Sequence, residues 1–276
     1  MGRAVFPGGK GLNQSVALAN AVNGYGVQVY HAGGIGRSDG VFLKKLLSEA
    51  CVDVRFIAEY DIPTGHAVIQ VDSSGQNCIV LYGGANLIQD NAYIDSVLSY
   101  FNTGDYLLLQ NEISADKYLI EKAHSKGMTV FLNPSPFNGN IRLLPLNFVD
   151  CFLVNEIEAA ALCGEKSNSS DEMIKALGRK FPKAKFVLTL GKSGVVYKDG
   201  GEIYKHGIYD VPVVDTTAAG DTFSGFFIGC LARGISIKDS LLFASKASSI
   251  AVSRKGAAPS IPDFKEVEKA QLKQIE

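Results

Sequence analysis

The sequence predicts an α/β domain, a sheet covered by helices on both faces, and three observations carry that prediction. Short β-rich runs alternate with longer stretches of helical periodicity from one end of the chain to the other. The 276 residues are 46% apolar and 20% charged, enough for a large core, since a chain of this size hides roughly three quarters of its unfolded surface on folding. Pro and Gly are scattered, with no linker-like shift in composition, no repeat and no low-complexity tract, so one main domain over residues 1–276 is the economical reading.

Taken in chain order, the expected strands are Val27 to His31, Asp105 to Gln110, Thr129 to Asn133, Cys151 to Asn155 and Lys185 to Leu190. The expected helices are Leu12 to Ala21, Asp39 to Ala50, Ala115 to Lys126, Ser170 to Lys180 and Ile237 to Val252. Ser169 and Glu172 have the spacing of a capping box for the fourth of these helices. Residues 64–86 break the rhythm: His66 to Val71 and Asn77 to Tyr82, separated by Asp72, Ser73, Ser74 and Gly75, read as a hairpin. A hairpin inserted into an α/β chain often covers a site.

Charge and cysteine content exclude several classes. Lys plus Arg is 27 against 28 for Asp plus Glu, so affinity built on neutralising nucleic-acid phosphates or a membrane surface is not expected. Cys51, Cys78, Cys151, Cys163 and Cys230 are odd in number and contain no Cys-x-x-Cys pair, which fits a reducing cytoplasm better than a disulfide framework or a zinc site. The apolar stretch Thr222 to Ala232 is closed by Asp221 and Arg233, far short of the roughly 20 residues of a membrane helix. Nothing at the N-terminus reads as a signal peptide.

The strongest motif is Asp215-Thr216-Thr217-Ala218-Ala219-Gly220-Asp221-Thr222-Phe223-Ser224-Gly225, between the strand-like Val211 to Val214 and an apolar helix with Gly225 and Gly229 four apart. It reads as strand, tight loop and helix N-terminus. Small residues at 218 to 220 let the backbone approach a ligand closely, and the free N–H groups and dipole of the first helical turn favour an anion. Taken alone, Asp221 is most simply a helix-capping carboxylate. In an anion site a carboxylate is misplaced unless it must take a proton from an attacking hydroxyl, and that company makes Asp221 a candidate general base.

On these residues the chain resembles a known family. Gly220-Asp221-Thr222-Phe223-Ser224-Gly225 resembles the C-terminal signature of the ribokinase-like (PfkB) carbohydrate kinases, and Gly8-Gly9-Lys10-Gly11-Leu12-Asn13-Gln14 their N-terminal one. Asn155-Glu156-Ile157-Glu158 is similar to the family's Asn-x-x-Glu, Thr189-Leu190-Gly191-Lys192-Ser193-Gly194 to its nucleotide loop, and Arg254-Lys255-Gly256-Ala257-Ala258-Pro259-Ser260 to its monovalent-cation segment. The Gly-Gly-Lys-Gly form, Gln110-Asn111-Glu112 and Asn133-Pro134-Ser135-Pro136 are closer to the ribose-phosphorylating branch than to the fructokinase or adenosine kinase branches. The resemblance runs from about residue 5 onward.

The resemblance implies a three-layer sandwich with a mostly parallel central sheet and a small β lid to which residues 64–86 contribute. It implies that Asp221 deprotonates the sugar hydroxyl and that the backbone of Ala218, Ala219 and Gly220 forms an anion hole. Gly8, Gly9, Lys10, Asn13 and Glu112, with Asp221, match sugar-binding positions. Asn155, Thr189, Gly191, Lys192, Gly194, Gly220 and Ser245 match the nucleotide side, although relatives tend to have Asn at position 245. Glu158 matches a position near Mg²⁺, acting through water. Asp215, Thr217, Ala251, Arg254, Gly256 and Ser260 match positions that hold K⁺. Only seven residues precede Gly8, where family members carry a few tens, including a first strand with a sugar-binding Asp; that strand is expected to be missing.

The expected activity is therefore ATP-dependent phosphorylation of a small sugar, in the first place D-ribose to ribose 5-phosphate. Alternatives are another small sugar such as deoxyribose, or a non-catalytic sugar- or nucleotide-binding remnant. ATP and the sugar are the expected partners, with a homodimer through the lid as a further expectation. A nicotinamide-dependent dehydrogenase would fit the layers, but after Gly34-x-Gly36 the third glycine position is Asp39, so the dinucleotide fingerprint fails. Gly191-Lys192-Ser193 imitates the end of a P-loop, yet the leading glycine would fall at Phe186. The four histidines form no ligand spacing, and only His66 lies in the suspected lid.

Overall fold

A computed structural model of the chain describes residues 5–71, 77–164 and 169–275. The chain opens with helix α1 (Lys10–Val22), strand β1 (Tyr30–Gly36), α2 (Val41–Glu49) and β2 (Asp53–Tyr60). The hairpin β3 (His66–Val71) and β4 (Asn77–Tyr82) follows, then α3 (Asn91–Leu98), β5 (Tyr106–Leu109), α4 (Asp116–Ser125) and β6 (Thr129–Leu132). Next come β7 (Cys151–Asn155), α5 (Glu156–Cys163), α6 (Ser170–Lys180), β8 (Lys185–Thr189), β9 (Val195–Asp199) and β10 (Glu202–His206). The chain ends with β11 (Ile208–Tyr209), α7 (Ala219–Ala232), α8 (Ile237–Val252), α9 (Phe264–Lys269) and β12 (Gln274–Ile275).

The six-stranded sheet has the order β10-β9-β8-β7-β6-β5, parallel from β5 to β8 and antiparallel at β9 and β10. Its middle strands are near-continuous apolar runs because both faces are covered. Successive side chains go to opposite faces: Cys151, Leu153 and Val187 pack with α1, α7, α8 and α9, whereas Phe152, Val154, Phe186 and Leu188 pack with α3, α4, α5 and α6. This is the three-layer arrangement expected.

β1 and β2 form a separate parallel pair, β3 and β4 an antiparallel hairpin, and β11 and β12 a short antiparallel pair. Among the described residues no ladder joins β1 to β5. The expected strand at Val27 to His31 begins at Tyr30 and continues through Gly33, Gly34 and Gly36. These glycines suggest a loop in sequence, but a Cβ at Gly34 would collide with the Ala85 carbonyl and the Gln89 amide, and one at Gly36 with Asp39. The strand needs glycine because other backbone lies directly on it.

Val211 to Val214 form no strand. Pro212 lacks a backbone donor, Val213 and Val214 are exposed, and the N–H groups of Val214 and Asp215 both reach the carbonyl of Val252. The helix expected from Asp39 starts at Val41, while Asp39 accepts from the Thr64 N–H and hydroxyl instead. Of the other expected strands, Cys151 to Asn155 forms with those bounds, and the remaining three end one residue early, at Leu109, Leu132 and Thr189, which leaves Gln110, Asn133 and Leu190 just beyond the sheet. Ser169 caps α6, its hydroxyl accepting from the Glu172 N–H at 3.2 Å.

Candidate active site

The N-termini of α1 and α7 meet beside the C-terminal edge of the sheet. A Cβ on Gly225 would lie 2.5 Å from Ala17 Cβ and 2.7 Å from the Leu18 nitrogen, and one on Gly229 would lie 2.7 Å from Ala21 Cβ. Glycine at these positions lets α7 press against α1, and the first turns of both helices open on the same place. There Asn13 Nδ2 donates to Asp221 Oδ2 at 2.9 Å and Gln14 Nε2 donates to Asp221 Oδ1 at 2.9 Å. The amide oxygen of Asn13, Oδ1, is buried with no donor among the described residues.

Asp221 is 7% exposed. Burial pushes its carboxyl above the ordinary value, opposed by the Lys10 ammonium and by the amides of Asn13 and Gln14. Glu112 is also raised, first by burial; Lys10 draws it down, Asp221 pushes it up, and the N–H groups of Gly11 and Lys10 hold it. α1 has Gly9 at its N-cap and no side-chain cap, so Glu112 supplies an anion to its open N–H groups. The start of α1 thus faces two carboxylates and supplies one ammonium, with Asp221 the more deeply buried of the two.

The loop before α7 is shaped for an anion. Ala218 is left-handed at φ 61 and places the helix N-terminus, an uncommon conformation for a residue with a Cβ. The N–H groups of Ala218 and Gly220 meet no protein acceptor among the described residues, whereas that of Ala219 is turned toward Thr216 O at 3.2 Å. The anion hole expected over three residues therefore has Ala219 already engaged. Ser248 on α8 ties the loop down, its hydroxyl donating to Ala219 O at 2.9 Å.

A cavity of about 260 Å³ opens here, walled by Lys10, Asn133, Asn155, Glu158 and Thr189 together with Thr216 and Ala218 to Asp221. Asn155 and Thr189 stand opposite each other in the β7–β8 register, so the same C-terminal edge of the sheet presents both. Asn155 and Glu158, whose spacing suggests a shared ligand, make a reciprocal capping box at α5: Asn155 Oδ1 accepts from the Glu158 N–H at 2.9 Å and Glu158 Oε2 from the Asn155 N–H at 3.0 Å. Gly191, Lys192, Gly194 and Ser245 are not in the cavity wall. Gly194, at φ 83, lies against His206 and Gly207, and Ser245 is buried in α8.

Beside the anion loop, Asp215 Oδ1 accepts from the Thr217 N–H at 2.9 Å and Oδ2 from the Gly256 N–H at 3.0 Å. These bonds, those from Thr217 first, hold its carboxyl below the ordinary value. Ala251 O caps α8 through the Arg254 N–H, and Ser260 is wholly buried with its hydroxyl on Ala257 O. The Arg254 side chain turns away to pair with Glu266. The structure therefore joins Asp215, Thr217 and Gly256 directly, with Ala251 and Ser260 on the adjoining turns, and leaves Arg254 to contribute through its backbone.

Among the described residues no group of three or more His, Cys, Asp or Glu side chains is placed to hold a metal ion. Glu158 in the cavity wall, with one oxygen on the Asn155 N–H, suits an ion that keeps most of its water, as Mg²⁺ does. Carbonyls, hydroxyls and the one carboxylate of Asp215 suit a large monovalent ion. Gln14, Gln110, Asn133 and Thr216 belong to this site or its support although their residue types did not single them out; only their place inside or beside the motifs pointed to them. A second depression, about 290 Å³ around the end of α1, is lined by Asn23, Gly26, Gln28 and Cys51 and lacks comparable chemistry.

With that geometry in place, the chain belongs to the pfkB family of carbohydrate kinases, whose model matches residues 3–263; it is a phosphotransferase with an alcohol as acceptor. Among its relatives, ribokinase of Schizosaccharomyces pombe is 36% identical over 276 residues, covering 95% of this chain and 85% of that protein. Ribokinase of Staphylococcus aureus is 32% identical, covering 95% and 87%. Among solved structures, ribokinase of Thermotoga maritima superposes with a TM-score of 0.82 at 32% identity, covering 96% and 87%. Arabidopsis thaliana ribokinase, solved with ribose and ATP, gives 0.80 at 30% identity, covering 95% and 86%.

Proposed function

We propose that this chain transfers the γ-phosphoryl group of ATP to the primary hydroxyl of D-ribose, giving ribose 5-phosphate and ADP. One observation carries the reading: a buried carboxylate, Asp221, lies in the same helical turn as the unpartnered N–H of Gly220. The carboxylate takes the hydroxyl proton as that oxygen bonds to the γ-phosphorus, the bond from phosphorus to the bridging oxygen breaks, and the N–H groups of Ala218 and Gly220 meet the charge on the transferring group. The orphaned Asn13 Oδ1 is an acceptor suited to a sugar hydroxyl, and Lys10 of the cavity wall, with Glu112 held by the N–H groups of Gly11 and Lys10 and with Gly8 and Gly9 just before α1, takes the sugar side. Thr189 and Asn155, with Gly191, Lys192, Gly194 and Ser245 further out, take the nucleotide side.

Glu158 is the carboxylate that would hold Mg²⁺ through water, where the ion supplies neutralising charge for the phosphates. Asp215, Thr217, Ala251, Gly256, Ser260 and the backbone of Arg254 would hold K⁺ and stiffen the loop that carries the anion hole. The exposed Val68, Val80, Leu81 and Tyr82 of the hairpin support a homodimer through the lid, and the cysteine pattern supports a cytoplasmic location. The ribose and ATP bound by the Arabidopsis relative favour ribose over other small sugars.

The test is a coupled ADP-release assay with Mg²⁺ against a panel of pentoses and hexoses, in K⁺ and in Na⁺ at matched ionic strength. The reading expects ribose to give the highest kcat/KM and K⁺ to exceed Na⁺. ADP release that no sugar stimulates would leave a nucleotide-binding remnant, and a preference for another sugar would move the assignment within the family.

A further inference from the structure

The setting of Asp221 depends on a side chain almost entirely shut off from solvent. Gln14 is 1% exposed and gives away both hydrogens of its amide, one to Asp221 Oδ1 at 2.9 Å and one to Asn133 Oδ1 at 3.1 Å. Its oxygen accepts from Gln110 Nε2 at 2.6 Å. The direction of this relay is fixed at its far end. Asn133 Nδ2 donates to the carbonyl of Leu153 at 2.8 Å, and a carbonyl only accepts, so Asn133 Oδ1 must face Gln14. A reversed Gln14 amide would set oxygen against oxygen at both Asn133 and Asp221.

We propose that Gln14 is a positioning residue for phosphoryl transfer: it locks the Asp221 carboxylate in one rotamer and keeps it anionic, referring the base to three strands of the sheet. Gln110 follows β5, Asn133 follows β6, and Leu153 lies in β7, so the sheet edge that bounds the cavity also sets the aim of the base. The charged groups facing Asp221 are Lys10 from α1 and Glu112 from the loop after β5. Lys10 opposes protonation and Glu112 favours it; Asn13 and Gln14 supply the two neutral donors. Asn13 lines the reacting group, with an oxygen to spare, whereas every hydrogen-bonding atom of Gln14 is committed to protein. This inference rests on the reading of Asp221 as the base.

The test is Gln14→Met, which keeps the length of the side chain and removes its fork. We expect kcat to fall about 10- to 100-fold, with KM for sugar and ATP within about threefold, because the base is misaimed while the binding groups stay in place. Losing a donor to the carboxylate raises its proton affinity, so the acid limb of kcat/KM should move upward by about one pH unit. Gln110→Met, which frees the other end of the relay, should move both readouts in the same direction by less.

Carboxyl-carbon NMR of the unliganded protein, with the Asp221 signal assigned from Asp221→Asn, should show the same upward move without any sugar present. A folded Gln14→Met protein with a lowered melting temperature but the parent's acid limb and carboxyl midpoint would overturn the proposal. Should Gln14→Met not fold, Gln110→Met decides by the same two readouts. A parent inactive on every sugar would count against the proposed function, while the carboxyl titration would still decide the role of Gln14.

Discussion

Where α1 meets α7, glycines at 225 and 229 bring two backbones together with no room for a Cβ, and four amide-bearing side chains converge on or behind Asp221. In the hairpin β3–β4, Val68, Val80, Leu81 and Tyr82 are exposed, and among the described residues its strands pair only with each other. At its base His66 leans on Tyr82 and shares a hydrogen bond with Thr64 O. The contrast separates two tasks. The junction fixes reacting groups through close packing, which tolerates neither added nor lost volume. The hairpin presents apolar surface for something else to cover, so its side chains are free of that constraint.

The largest expected effect lies at the junction. Asp221→Asn keeps the shape but retains only one of the two oxygens that accept from Asn13 and Gln14 and cannot take a proton, so kcat should drop by about 10² to 10⁴ while ATP affinity by calorimetry stays near the parent's. A variant turning over within a few-fold of the parent would remove Asp221 as the base.

Packing gives the next test of the contrast. Gly225→Val forces side-chain atoms into Ala17 and the backbone of α1 and should cost about 3 kcal/mol in urea unfolding. Leu81→Ser on the hairpin should change monomer stability by less than about 0.5 kcal/mol. Equal effects at the two positions would contradict the difference drawn between them.

A buried carboxylate away from both regions sharpens the comparison further. Asp116 begins α4, with Oδ1 buried and without a partner among the described residues, and burial raises its pKa to about 7. A raised carboxyl pKa favours folding where the group is protonated, so its contribution is full below the unfolded value near 4 and is lost as pH climbs through about 7. Over that window the parent should lose roughly 2 to 4 kcal/mol from this group. Asp116→Asn should flatten the decline, visible as melting temperatures measured at pH 5 and pH 8. Its acid limb of kcat/KM should match the parent's, since Asp116 is not among the groups that shift Asp221.

Much of this was legible in the chain before any coordinates. The middle strands announce themselves because burial on both faces demands unbroken apolar runs, as in Cys151–Asn155 and Lys185–Thr189. The loop before α7 is visible in its small residues, and Asp221 in its conflict with an anion site. β1 runs on past the expected end at His31 through Gly33, Gly34 and Gly36, and nothing local marks these as strand, because the chain that crowds Gly34, at Ala85 and Gln89, lies some fifty residues away in sequence. Val211 to Val214 misled in the opposite sense, since β-branched residues favour a strand only beside another strand, and here Pro212 has no donor and Val214 bonds the end of α8 instead. The Asn155–Glu158 spacing, which suits a shared ligand, equally suits the capping box that forms. The relay through Gln14, Gln110 and Asn133 was not legible, because its pairs span 96 and 119 residues of sequence and nothing local marks an amide as part of a chain.

The central claim is that Asp221 and the α7 N-terminus move phosphate from ATP to the primary hydroxyl of ribose. Phosphorus NMR of the product formed from ribose, ATP and Mg²⁺ tests it most directly, because coupling identifies the carbon that carries the ester. The account predicts one new phosphomonoester coupled to the two protons on carbon 5, formed in step with ADP and lost in Asp221→Asn. A phosphorus signal coupled to the anomeric proton, or ADP accompanied only by inorganic phosphate, would contradict it.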